Sequence, residues 1–246
     1  MVAVIRFDYP TRRGRCRYLA LALGALLVAT ATRSASANPA LVDIKTVDPS
    51  IVIDLRYATP NNVTGHVLYP HGMRALVLPS VARQLASAQH FLREYNYGLK
   101  IWDAYRPKKV QELLWRFAHK GDYIANPENS FGSTHSYGVS VDATLVDNYG
   151  RELSMPTGFD SFTPAAMLRY QGQNRAVRDH LTLLQVAMGG NNFYGLRIEW
   201  WHFTAADWKK YVPYQEAKGE KQNADKRKSD PKKLKASAQT SQNSKI

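Results

Sequence analysis

Val139-Ser140-Val141-Asp142-Ala143-Thr144-Leu145-Val146 alternates side chain by side chain. A period of two puts Ser140, Asp142 and Thr144 on one face of a strand and Val139, Val141, Ala143 and Leu145 on the other. One carboxylate is thereby fixed on a polar strand face. Just upstream, Ser133-Thr134-His135-Ser136-Tyr137-Gly138 sets an imidazole before that strand, with six residues between His135 and Asp142 and a glycine that lets the loop bend back. Imidazole nitrogen and carboxylate oxygen are both good zinc ligands. A catalytic zinc needs three protein ligands and a fourth position left open, so one more ligand is required.

Working outward, Ile51-Val52-Ile53-Asp54-Leu55-Arg56-Tyr57 reads as a short β-branched strand running into the polar loop 59–65. From Ser80, the expected N-cap, Val81, Leu85, Ala88 and Leu92 recur at helical spacing until Gly98, the expected stop. Residues 99–105 follow as a strand. Arg106-Pro107 then turns the chain into a second helix with Val110, Leu113, Leu114 and Phe117 on one face. A third helix is expected over 174–188, with Val177, Leu181, Leu184 and Met188 in phase, and residues 194–203 read as one aromatic strand. Helices and strands mix without regular βαβ alternation. The expected class is therefore α+β, a single domain with an antiparallel-rich sheet packed with helices and the zinc site at the sheet.

Glu199-Trp200-Trp201-His202 offers the missing ligand and, in Glu199, a base for hydrolysis. Residues three apart on a regular strand point to opposite faces, so the pair can share a site only where the strand ends, twists or bulges near Trp200-Trp201. Each part has a plainer reading. His135 can be a hydrogen-bonded loop residue, and Glu199 and His202 the polar members of an aromatic edge strand.

Taken together, S-x-H-x-x-G-x-x-x-D over 133–142 and E-W-W-H-F over 199–203 resemble the motifs of the D-alanyl-D-alanine dipeptidases, zinc peptidases of the vancomycin-resistance type. Asp54-Leu55-Arg56-Tyr57-Ala58-Thr59, Asn62-Val63-Thr64-Gly65, Trp102-Asp103-Ala104-Tyr105-Arg106-Pro107 and Gly158-Phe159-Asp160 resemble further segments in the same order. The resemblance covers nearly the whole body, from about 52 to 203. It implies that His135, Asp142 and His202 hold one Zn2+ per chain, that Glu199 is the general base, and that Arg106 steadies the oxyanion. It also implies that Ser133 and Asp160 receive the free ammonium of a small D-amino-acid dipeptide, with Tyr57 shaping the pocket. Tyr57 is equally readable as a strand-end core residue. Ser140 departs from the small Ala usual at its position.

Two further readings stay open: a zinc D,D-carboxypeptidase or endopeptidase acting on longer peptidoglycan peptides, and a non-catalytic wall-binding protein. The intact Glu199 argues against the second. His66, His71, His90, His119 and His180 have no neighbour at ligand spacing and read as loop or helix-surface residues.

The ends complete the picture. Arg12, Arg13, Arg15 and Arg17 precede an apolar run over 18–31 and then Ala35-Ser36-Ala37, the pattern of an export signal cleaved after Ala37. The run is short for a membrane span, which wants about 20 apolar residues; an uncleaved anchor is the alternative, and Sec and twin-arginine export both fit. Cys16, the only cysteine, precedes the run, so the exported chain has no thiol and no cysteine metal site. Residues 216–246 are Lys-, Ser- and Gln-rich without an aromatic and read as a disordered basic tail. Of the net charge of +13, residues 1–37 carry six Arg against one Asp and residues 216–246 nine Lys or Arg against four acids, which leaves only +3 on the body, 38–215. The charge thus sits off the folded body, and nucleic acid is not an expected partner. The tail is expected as a solvated tether, with weak contact to anionic wall polymers or lipid as the alternative. A periplasmic or extracellular site is expected, unlike the resistance enzymes, which act inside the cell; it implies wall-peptide turnover or salvage.

Overall fold

The computed structural model describes residues 39–212 apart from 119–122 and 129–130. The expected leader and Cys16, His119, and the basic tail lie outside the described residues. In chain order the elements are β1 (Val42–Asp43), α1 (Ile44–Val47), β2 (Val52–Ile53), β3 (Leu76–Val77), α2 (Pro79–Arg93), β4 (Tyr97–Asp103), α3 (Lys108–Ala118), β5 (Ser140–Asp147), α4 (Arg175–Gly190), β6 (Phe193–Leu196) and β7 (Glu199–Ala205). Five strands form one sheet in the order β2-β4-β5-β7-β6, and β1 pairs with β3 apart from it. Only the β2-β4 pairing is parallel; β4-β5, β5-β7 and β6-β7 are antiparallel. The architecture is the expected single α+β domain with an antiparallel-rich sheet.

β5 lies in the middle of the sheet, and both of its faces are covered. Val141, Ala143 and Leu145 are fully buried on one face and Ser140 and Thr144 on the other. Helices α2 and α4 pack on each other, α2 also on β4 and α4 also on β6. Their buried stripes, Val81, Leu85, Ala88 and Leu92 on α2 and Val177, Leu181, Leu184 and Met188 on α4, are those the periodicity predicts. Asn174 caps α4 by accepting the Val177 amide at 3.3 Å.

Several local expectations are corrected. Ser80 is not the N-cap of α2: the helix starts at Pro79 after Leu78, with no side-chain cap, because proline suits the first helical turn. Gly98 does not end it. The chain leaves the helix after Arg93 and turns at Asn96, whose φ is 61°. Gly98 belongs to β4, where a Cβ would stand 3.0 Å from the Gln89 side chain that accepts the Leu99 amide at 2.7 Å. On α3 the inward residues are Val110, Gln111, Leu114 and Ala118, whereas Leu113 and Phe117 face out, Phe117 at 55% exposure. The strand expected over 51–57 is extended only at Val52–Ile53. Arg56–Ala58 is a 3-10 turn that buries Tyr57, because the Tyr57 carbonyl accepts both the Leu68 and the Tyr69 amides. The expected aromatic strand is a hairpin, β6 turning at Arg197-Ile198 into β7. That turn holds no Gly, Pro, Asn or Asp to announce it.

Gly138 closes the turn that precedes β5 at φ 67°, and a Cβ there would lie 2.6 Å from Leu41 Cδ2. Gly138→Ala therefore combines left-handed strain with a clash. The expected loss is about 1–3 kcal/mol of stability, measurable by urea unfolding; an unchanged midpoint would contradict this account of the turn.

Candidate metal centre and catalytic cleft

The register of β5 on β7 sets Asp142 directly opposite His202. Opposed residues of an antiparallel pair share a face, and His202 Nδ1 lies 3.0 Å from Asp142 Oδ1. His135 arrives from outside the sheet, on the 3-10 turn Thr134–Tyr137. Ser133 Oγ caps that turn by accepting the His135 amide at 3.3 Å. His135 Nδ1 donates to the Ala104 carbonyl at 2.9 Å, which fixes the tautomer and leaves the Nε2 lone pair free. Nε2 stands 3.1 Å from His202 Nδ1 and 3.4 Å from Asp142 Oδ1.

These three residues form a group that could hold a metal ion. The spacing fits, since ligands about 2.1 Å from a tetrahedral zinc stand roughly 3.4 Å apart. The donor set, two imidazoles and one carboxylate, suits zinc as well. Burial works against the Asp142 charge, but the two histidines more than offset it and hold the carboxyl well below the usual range. Burial likewise disfavours charge on both rings. His135 is nevertheless raised, chiefly by the Asp142 charge, while His202 stays lowered in spite of its bond to Asp142.

The triad opens on a cavity of about 340 Å3, and all eight residues singled out in the sequence line it: Tyr57, Arg106, Ser133, His135, Asp142, Asp160, Glu199 and His202. Glu199 and His202 reach the same space because β7 is irregular where the sequence requires it. Leu196 pairs with Glu199 and Gly195 with Phe203, so Trp200, Trp201 and His202 bulge between two successive β6 pairs. Burial, then the charges of Asp142 and Asp160, raise the Glu199 carboxyl well above its ordinary range, with Arg106 opposing.

Arg106 is buried. Asp103 Oδ2 accepts from its Nε at 2.9 Å and its Nη2 at 2.5 Å, and Gln111 Oε1 accepts from Nη1 at 2.7 Å. The guanidinium stacks 4.8 Å over the Tyr57 ring. Burial opposes the charge, and Asp103 first among its neighbours more than restores it. Asp160 holds φ 56°, so its carboxylate turns back to accept from the Tyr57 hydroxyl at 3.2 Å and the Val63 amide at 3.1 Å. Burial is the main reason its carboxyl is raised to about 7.

A family model described as D-ala-D-ala dipeptidase matches residues 37–220. The chain belongs to the D-Ala-D-Ala dipeptidase family. A relative of that name from Escherichia coli (strain K12) is 33% identical over 163 residues, 66% of this chain and 83% of its own length. The Enterococcus faecalis (strain ATCC 700802 / V583) dipeptidase is 29% identical over 63% of this chain and 85% of its own length. As a member of this metallopeptidase family, the chain is an enzyme that hydrolyses peptide bonds.

The sequence reading missed the groups that hold the site residues. Asp103, fully buried, takes the hydroxyl hydrogen of Tyr69 and the Ala104 amide besides Arg106. Gln111 ties Arg106 to the Ala125 carbonyl through its own amide at 2.6 Å. The one available signal was Gln111 itself, a polar residue one position from Val110 on the inward stripe of α3.

Proposed function

We propose that the chain hydrolyses the D-Ala-D-Ala dipeptide to free D-Ala, with one zinc ion held by His135 Nε2, Asp142 Oδ1 and His202 Nδ1. The observation that carries this reading is the convergence of those donors, 3.0 to 3.4 Å apart, on a cavity shared with a buried acid, a buried arginine and a second carboxylate. The chemistry that zinc supplies at such donors is Lewis acidity, which polarises a carbonyl and acidifies water. Glu199 takes the proton from the attacking water and delivers it to the departing amine. Arg106 faces the oxygen on which negative charge develops. Asp160 and Ser133 bind the free ammonium, so that a chain extended at its amino end has no room for its next residue. The leader-like sequence supports export to the periplasm or beyond and a part in wall-peptide turnover or salvage.

The test is to incubate purified protein with D-Ala-D-Ala, L-Ala-L-Ala and a pentapeptide ending in D-Ala-D-Ala, with zinc and then with a chelator. Zinc-dependent release of D-Ala from the D,D-dipeptide alone is expected. Cleavage of the pentapeptide alone would move the protein to the carboxypeptidases.

Asp160 gives this reading a pH signature. With its pKa at about 7, the carboxyl is neutral at pH 6 and charged at pH 8, and only the charged form pairs with an ammonium. Rising pH therefore improves binding until the substrate amine, near about 7.7–8.0, loses its own proton. A bell-shaped kcat/KM profile is expected, and Asp160→Asn is expected to alter its acid limb, leaving the part set by Glu199, the other raised carboxyl of the cleft. An unaltered limb in that variant would assign the pKa to another group.

A further inference from the structure

We propose that the hydroxyls of Thr204 and Ser140 are positioning residues that hold His202 with its Nδ1 lone pair turned toward the metal site, an inference that rests on the zinc reading above. Thr204 lies two residues beyond His202 on β7 and so on the same face. Its Oγ1 is 3.0 Å from His202 Nε2. Ser140, fully buried, stands opposite Thr204 in the β5-β7 register, with its Oγ 2.7 Å from Thr204 Oγ1. Ser140 Oγ in turn donates to Thr134 Oγ1 at 2.7 Å. Thr134 precedes His135, so the line of hydroxyls joins the two ligand-bearing segments.

Following the protons along this line fixes the tautomer. Each hydroxyl has one hydrogen to give. Ser140 gives its own to Thr134, so it accepts from Thr204. Thr204 then offers only lone pairs to His202, and Nε2 must donate. The neutral ring is left with an unprotonated Nδ1, 3.0 Å from Asp142 Oδ1 and 3.1 Å from His135 Nε2. His135 reaches the same state independently through the Ala104 carbonyl. When both rings are neutral, three lone pairs thus face one another, an arrangement that a cation relieves.

The experiment uses Thr204→Val, which keeps shape and removes the hydroxyl, Ser140→Ala, and Thr204→Ser as the conservative rescue. Zinc affinity is read by competition with a chromophoric chelator, and the His202 tautomer by nitrogen-15 NMR of the metal-free protein. Partners of metal-bound histidines typically contribute about 10–100-fold in affinity. Thr204→Val is expected to bind zinc that much more weakly, Ser140→Ala to lose less, and Thr204→Ser to match the parent protein. The parent is expected to show the Nε2–H tautomer and Thr204→Val a mixture. Parent-like zinc affinity in both Thr204→Val and Ser140→Ala, or a parent Nδ1–H tautomer, overturns the proposal. Failure of the parent itself to bind zinc would defeat the functional reading instead, and the metal-free tautomer would still decide the hydroxyl line. Ser140→Ala removes a single atom, so it remains a test even if Thr204→Val fails to fold.

Discussion

Glu199→Gln is expected to lower the turnover of D-Ala-D-Ala by about a hundredfold to ten-thousandfold, the range for a lost general base, with zinc content unchanged. Glu199 opens β7 and lines the cavity, yet it is not among the three atoms spaced as metal donors. Among the described residues no hydrogen bond or ion pair engages its carboxylate, so its proton affinity is not absorbed by a structural partner. Burial and the nearby Asp142 and Asp160 charges raise that affinity further, with Arg106 opposing. This is the environment of a carboxylate that takes up a proton readily. Glutamine has nearly the same shape and cannot accept the proton, so the substitution isolates the chemical role. Single-turnover kinetics beside metal analysis make the measurement. A variant that keeps more than a tenth of the parent rate, fully loaded with zinc, would remove Glu199 from the role of base.

The sequence made the parts of this site legible but not their assembly. Alternation along 139–146 shows which face of β5 carries Asp142, because a strand has only two faces. It cannot show that β5 pairs with β7 so that Asp142 meets His202, since that register joins residues 60 apart. The need for a distortion at Trp200-Trp201 was readable from spacing, and β7 bulges there. Its immediate cause was not, because the hairpin turn at Arg197-Ile198 lacks turn residues. Arg106 was visible as a corner between strand and helix. Its burial was not, because Asp103 reads locally as an ordinary strand residue and Gln111, the one polar residue on the inward stripe of α3, does not tell which side chain it holds. Tyr57 likewise reads as a strand end, and only the return of residues 68–69 to its carbonyl turns it inward. Local patterns carry periodicity and chemistry, whereas the fixing of Arg106 and His202 depends on pairings between distant segments.

That fixing makes Arg106→Ala the second large effect. Loss of a buried electrostatic stabiliser is expected to reduce kcat by about a hundredfold to a thousandfold. Arg106 is not among the three residues that could hold a metal ion, so the proposed zinc is expected to remain bound. Stability is affected too. Arg106 is the cation beside the fully buried Asp103 and lies 3.8 Å from Asp142 Oδ2, and removing one partner of a buried ion pair costs about 3–5 kcal/mol. Arg106→Lys separates the two consequences. It keeps a charge near Asp103 and Asp142 but gives up the planar fork that bonds Asp103 and Gln111 together. Much of the lost stability should return with lysine, while the rate should stay depressed, because a flexible ammonium is not held toward the developing oxyanion. Thermal unfolding and kcat, measured on both variants below the alanine variant's transition, test this. Recovery of rate in step with stability would make Arg106 a structural cation and would leave the oxyanion to other groups of the cleft.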